Sequence, residues 1–192
     1  MILSISNIVA LLISYIVGAI PTGFLIARRC GIADIRQHGS GNIGATNVAR
    51  VLGVQYFCLI LLLDAGKAFI NIFVLQQIGY PSTIVYSAAI IHLIANGYSP
   101  FLNWSGGKGV ASLFGLLCAL KWHVAFYAAL IWIGVCITTC VAGIASIMTV
   151  LLVPIVAWYT QCSDELMVFF IFASIWIILR HKNNLKIFFA HI

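Results

Sequence analysis

The chain has 192 residues, of which 63% are hydrophobic and 7% charged, with a formal net charge of +6. A soluble domain carries roughly 45–50% apolar and about 25% charged residues, so ten Lys and Arg with four Asp and Glu cannot cover a water-facing surface. A mean hydropathy of +1.12 excludes a disordered chain as well, and the composition is that of an integral membrane protein.

At roughly 20 residues per spanning helix, the length admits about seven or eight spans with short connections and no soluble domain. The whole of 1–192 is therefore read as one membrane domain. The N-terminus is apolar from Met1 and shows no basic region or A-x-A-like site before Arg28, so a retained signal anchor is expected. The first span is predicted over 2–27, ended by Arg28 and Arg29, and the longest polar stretch of the chain, 28–50, follows. The second span covers 51–75 and closes at Gln76, Gln77, Gly79 and Pro81; the third covers 83–98. After a Gly-rich segment at 103–109 come a short fourth span at 110–120 and, beyond Lys121, Trp122 and His123, a fifth at 124–139. The sixth is 144–160, the seventh 166–179, and a basic tail runs over 180–192. An all-α bundle of seven transmembrane helices results, and its cytoplasmic loops are expected to form the site.

Seven spans put the termini on opposite sides. Arg28, Arg29, Arg36, Arg50, Lys108, Arg180, Lys182 and Lys186 then share one side, against Lys121 on the other. The positive-inside rule places that side in the cytoplasm and the N-terminus outside. Excess Lys and Arg in such a chain reports topology and contact with anionic lipid, not a nucleic-acid patch. The six cysteines form no C-x-x-C pair, and are expected to be buried free thiols.

The unusual residues collect on the basic side. Gly39, Gly41 and Gly44 match G-x-G-x-x-G, with Asp64 further on. A dinucleotide fingerprint needs a buried strand before it and a βαβ unit around it; here a charged segment precedes it and Asp64 falls in an apolar span. What survives is local. The glycines allow backbone N–H groups to converge on an anion, Ser40 and Asn42 add hydrogen bonds, and Arg50 adds a fork suited to phosphate or carboxylate. Thr46 and Asn47 are placed to cap the following helix. The bland alternative is a Gly-rich turn with its caps.

A second cluster, Ser105, Gly106, Gly107, Lys108 and Gly109, opens the fourth span. It is not a Walker A loop, because Leu102 and Gly109 occupy the first Gly and the Ser/Thr positions. Glycines with one Lys at a helix N-terminus still make an anion site; the alternative is an interfacial turn with a snorkelling lysine. In the tail, His181 and Asn184 lie one helical turn apart and share a face if the last helix continues. Asp64 and Lys67, three apart inside an apolar span, read best as an ion pair, and His92 and His123 as packing or interface residues. Three phosphate-suited clusters on one face of a small bundle point to an anionic substrate at the cytoplasmic interface.

These residues resemble the bacterial acyl-phosphate:glycerol-3-phosphate acyltransferases, the PlsY family. The match runs through Gly18, Ala19, Ile20 and Pro21, Asp34 to Arg36, the block 39–53, Leu63 and Asp64 with Lys67, Phe101 and Leu102, 106–111, and His181 with Asn184. The resemblance implies a seven-span protein of the bacterial inner membrane with three cytoplasmic motifs. It further implies transfer of an acyl chain from acyl phosphate to the 1-hydroxyl of glycerol 3-phosphate, giving lysophosphatidic acid and phosphate, in functional coupling with the enzyme that makes the acyl phosphate. Carried over by position, Ser40, Arg50, His181 and Asn184 are the candidate catalytic residues. Gly39, Gly41, Asn42, Thr46, Asn47, Gly106, Gly107, Lys108, Gly109 and Lys67 are the candidate substrate-binding ones. The phosphate leaving group makes a covalent enzyme intermediate, a metal or a cofactor unnecessary. Either His181 or a substrate phosphate oxygen takes the hydroxyl proton.

The chain departs from the family pattern at Ala95 and Asn96 (Gly-His), Ser99 (Pro), Ser105 (Lys), Ala68 (Gly), Cys140 (Arg), Gly143 (Ser), and Lys182 and Ile187 (Arg); it ends where a terminal Glu would fall. A paralogue of weakened or shifted activity that binds lipid phosphate is the alternative. A small anion transporter is disfavoured, because its polar residues belong near the bilayer midplane.

Overall fold

The computed structural model describes residues 4–182, and every regular element among them is helical. The α-helices are α1 (Ile5–Ala19), α2 (Thr22–Arg29), α3 (Ala45–Leu52), α4 (Gln55–Ile78), α5 (Ser82–Gly97), α6 (Val110–Leu120), α7 (Trp122–Thr139), α8 (Ala142–Tyr159) and α9 (Asp164–Arg180). With α1 and α2 as one pass and α3 lying in the first polar segment, they trace the seven passes expected. Four stretches are long and apolar enough to cross a membrane by themselves: Ile5–Arg29, Gln55–Ile78, Trp122–Thr139 and Ala142–Tyr159. α6 has 11 residues, about 16 Å of helix against roughly 30 Å of hydrocarbon. It is a short pass that turns straight into α7 at Lys121.

Two boundaries differ from those expected, each for a local reason. The first span is not one helix but breaks at Ile20–Pro21, where proline has no N–H to continue the ladder. The carbonyls left over are taken by side chains from elsewhere: Ser99 Oγ donates to Ala19 O at 2.6 Å and Lys67 Nζ to Ile20 O at 2.6 Å. The second span starts at Gln55 instead of 51, because Gly53 at φ 113° ends α3 first.

Lys67 also meets Asp64 at 2.8 Å, the ion pair expected, and Asp64 accepts from Thr22 Oγ1 at 2.6 Å. A buried pair with a further hydrogen bond on each partner is how charge persists in an apolar span. Next to it, Ser14 donates to Asn71 Oδ1 at 3.2 Å, and Asn71 Nδ2 reaches the fully buried His92 at 3.4 Å. These polar contacts tie α1, α4 and α5 together where lipid offers no hydrophobic drive for association. His123 stacks on Trp122 near the opposite end of the bundle from the basic loops.

The main core includes Phe169 and Phe170 of α9, Leu113, Leu116 and Leu117 of α6, and Val150 and Val153 of α8. A second, smaller core of Ala27, Ile35, Ile43, Val48, Ile60 and Leu102 lies under the first polar segment. That segment is therefore anchored: Ile35 and Ile43 point inward, at 0% and 6% exposure. The cysteines are free as expected, but none is buried; Cys30, Cys58, Cys118 and Cys140 are exposed on the outside of the bundle.

Candidate active site

The first polar segment is organised by one side chain. Asn47, on α3 and 2% exposed, accepts from the Ser40 amide at 2.7 Å and from Arg50 Nη1 at 3.2 Å through the same Oδ1. Its Nδ2 donates to His38 O at 2.9 Å and Asn42 O at 2.8 Å. Gly39 has to be glycine: its φ is +60°, and a Cβ there would run into Asn47 Oδ1. The helix cap expected of Thr46 or Asn47 is instead Gly44, whose amide is held by Asn42 Oδ1 at 2.7 Å. Ser40, Gly41 and Thr46 stay exposed at the rim, with Arg50 rising beside Gly39. The segment is locked to its neighbours through Arg36, which pairs with Asp34 at 2.7 Å and donates to Leu102 O at 3.2 Å. The guanidinium beside Asp34 holds that carboxyl below the usual carboxylate range.

The second segment packs onto the end of α5. The Gly107 amide donates to Asn96 O at 2.9 Å, and a Cβ on Gly106 would fall on the carbonyl oxygens of Asn96 and Gly97. Gly109, at φ +87°, caps α6 and opens its N-terminus. From α9, Arg180 donates to Gly107 O at 3.2 and 3.1 Å and to Gly106 O at 3.2 Å. One departure from the resembled pattern has a visible use: Ser99 donates its hydroxyl to the end of α1.

These contacts bring the first and second clusters and His181 to one end of the bundle. Lys108 is half-buried, and burial together with the charges of Arg180 and Arg50 lowers its pKa below the usual ammonium range. His181 is 3% exposed. Burial, with smaller contributions from Lys108 and Arg180, pushes its pKa down to about 4. Its Nδ1 lies 2.8 Å from Ile177 O. A carbonyl only accepts, so Nδ1 carries the hydrogen and Nε2 the lone pair. Arg50, Lys108, Arg180 and a neutral His181 therefore make a positive cluster that includes one hydrogen-bond acceptor.

Two of the expectations change. The amides of Ser40, Gly41, Gly44 and Gly107 are used inside the loops, so these four are not left for an anion, and the positive field there comes from side chains and the α6 N-terminus. Lys67 is committed to Asp64 and Ile20 O at the α1–α2 break. Asn184 and Lys186 lie outside the described residues. Arg180, placed by the sequence only in the basic tail, reaches the second segment; the signal available was its place immediately before His181.

A family model described as glycerol-3-phosphate acyltransferase matches residues 8–191. The chain is 38% identical to the glycerol-3-phosphate acyltransferase of Dinoroseobacter shibae, covering 91% of this chain and 85% of that one. It is 35% identical to that of Mesorhizobium japonicum, over 93% and 90%. Among solved structures, the fold is similar to the glycerol 3-phosphate form of PlsY, an integral membrane glycerol 3-phosphate acyltransferase, with a TM-score of 0.92 and 29% identity over 97% of this chain and 93% of that one. The lysophosphatidic acid form gives 0.90 and 28%, with the same coverage. Three polar segments held together by Asn47, Arg36 and Arg180 at the basic end of a seven-pass bundle thus come with a sequence match from end to end, and the chain belongs to the glycerol-3-phosphate acyltransferase family.

Proposed function

We propose that this protein moves an acyl chain from acyl phosphate to the 1-hydroxyl of glycerol 3-phosphate at the cytoplasmic face of the bacterial inner membrane, releasing lysophosphatidic acid and phosphate. The observation that carries this reading is the convergence of Arg50, Lys108, Arg180 and His181, three fixed cations and one neutral imidazole, at the basic end of the bundle. Both substrates bear phosphate, and cations in a half-buried site bind it and stabilise the charge that develops on the transferring carbonyl. The N-terminus lies outside, by the distribution of Lys and Arg. An enzyme producing acyl phosphate supplies the donor.

In the transfer, the hydroxyl oxygen bonds to the acyl carbon, the carbon–oxygen bond to phosphate breaks, and phosphate leaves. The hydroxyl proton goes to a phosphate oxygen. A phosphate monoester has a second pKa near 6, whereas His181 with a pKa of about 4 is the weaker base. The Nε2 lone pair of His181 is then left to accept from the other hydroxyl of glycerol 3-phosphate, which orients the substrate, and Ser40 at the exposed rim contacts substrate. Holding the hydroxyl against an already activated acyl group supplies much of the rate.

The test is turnover by purified protein in detergent or lipid, with palmitoyl phosphate and glycerol 3-phosphate, reading lysophosphatidic acid and phosphate, and palmitoyl-CoA as parallel donor. Product from the acyl phosphate alone is expected, with kcat reduced in Ser40→Ala and His181→Ala more than substrate binding is. Folded protein that makes no product from either donor would refute the activity and favour a binding paralogue.

A further inference from the structure

Arg180 is the last residue of α9, half-buried, and it has no carboxylate partner among the described residues. Its Nε and Nη2 donate to Gly107 O at 3.2 and 3.1 Å, and Nη2 also reaches Gly106 O at 3.2 Å. The guanidinium lies over the Tyr98 ring, 5.1 Å from its centroid, a seat that favours a planar cation. Tyr98 is fixed in turn: its ring meets Trp176 edge-on at 5.6 Å, and its carbonyl accepts from Tyr15 at 3.1 Å.

The peptides of Gly106 and Gly107 are thus gripped from two sides. Asn96 O holds the Gly107 amide at 2.9 Å, and Arg180 holds both carbonyls. The carbonyls are turned onto the Arg180 guanidinium, and the next residue in the chain is Lys108. A neutral donor would serve to brace a turn. A cation here is electrostatically costly, because it stands close enough to Lys108 and His181 to depress both pKa values. That cost is recovered when an anion occupies the site.

We propose that Arg180 is a positioning residue for a phosphate-bearing substrate: it fixes the Gly106–Gly107 peptides so that Lys108 is presented to the phosphate, and it adds behind it a charge that no carboxylate among the described residues neutralises. The inference rests on the reading of the second polar segment as a phosphate loop. Lysine is a poor substitute, since one ammonium cannot fork two carbonyls while lying flat on a ring.

Steady-state kinetics with palmitoyl phosphate and glycerol 3-phosphate test it in three variants. Lys108→Ala identifies which substrate's KM depends on the loop. Arg180→Gln is expected to raise that same KM about tenfold, and the double variant to be less than additive. In Arg180→Ala, added guanidinium is expected to lower that KM again by filling the seat over Tyr98. If Arg180→Gln fails to fold, Arg180→Lys decides, with a rise of roughly threefold to fivefold in the same KM. A KM at the wild-type value in the folded Arg180 variant, with Lys108→Ala defective, overturns the role of Arg180 and leaves the phosphate loop standing. Unchanged kinetics in Lys108→Ala overturns the loop reading itself.

Discussion

Replacing Asn47 by Ala is expected to lower kcat/KM about 30-fold while the bundle stays folded. The side chain makes four hydrogen bonds, to the Ser40 amide, Arg50, His38 O and Asn42 O. At about 1 kcal/mol net for each, their loss would cost roughly 4 kcal/mol if nothing replaced them. His38, Gly39, Ser40 and Gly41 are exposed, so water re-satisfies part of the set and about 2 kcal/mol is left as preference for the active loop conformation. At 1.36 kcal/mol per tenfold, that is about 30-fold in rate. The apolar anchors Ile35, Ile43 and Val48 are untouched, so the folded yield and melting temperature should change little. Asn47→Asp separates the two halves of the amide. It keeps an acceptor for Ser40 and Arg50, but turns a carboxylate oxygen toward two carbonyls and neutralises Arg50, so it should be no better than Asn47→Ala. The assay is initial-rate formation of lysophosphatidic acid, with circular dichroism and a thermal melt on the same samples. A wild-type kcat/KM in Asn47→Ala, or a deficit explained wholly by unfolded protein, would refute the clamp.

Gly106→Ala should lose at least 50-fold in activity, because a Cβ meets two backbone carbonyls that cannot swing aside; at about 2–3 kcal/mol of overpacking, wild-type turnover would show that the loop moves freely. His181 should stay neutral on acidification until pH nears 4, followed by NMR of labelled imidazole, and a midpoint near 6.5 would contradict the burial argument. Its pKa is lower folded than unfolded, so its contribution to stability is complete above 6.5 and declines as pH falls toward about 4. Asp64→Asn should destabilise by about 3 kcal/mol by leaving Lys67 unpaired in an apolar span. Asp64→Asn with Lys67→Met should recover part of this in a denaturation series, and equal losses would argue against coupling.

The sequence by itself determined the class, the number of passes and the end of the bundle where the basic polar segments gather. Lipid cannot hydrate backbone or charge, so apolar length fixes each pass, and charged residues are forced to the ends or into pairs such as Asp64 with Lys67. Gly39 and Gly106 were legible as special positions because few other residues fit tight loops. What those positions do was decided by the tertiary structure. The apolar run 2–27 reads as one span; its break at Pro21 shows in the structure, where the donors that make it tolerable, Lys67 and Ser99, come from distant parts of the chain. Among the glycines that read as anion cradles, Gly41, Gly44 and Gly107 have their amides turned inward, to His38, Asn42 and Asn96, and the positive charge at this end comes from Arg50, Lys108 and Arg180. Arg180 itself looked like one more basic residue at a membrane edge. Only the packing of α9 against α5 and the glycine loop shows its guanidinium on two backbone carbonyls. A local pattern records which residues can bend, pair or bind; which partner each one meets is set by chain segments that approach only when the helices pack.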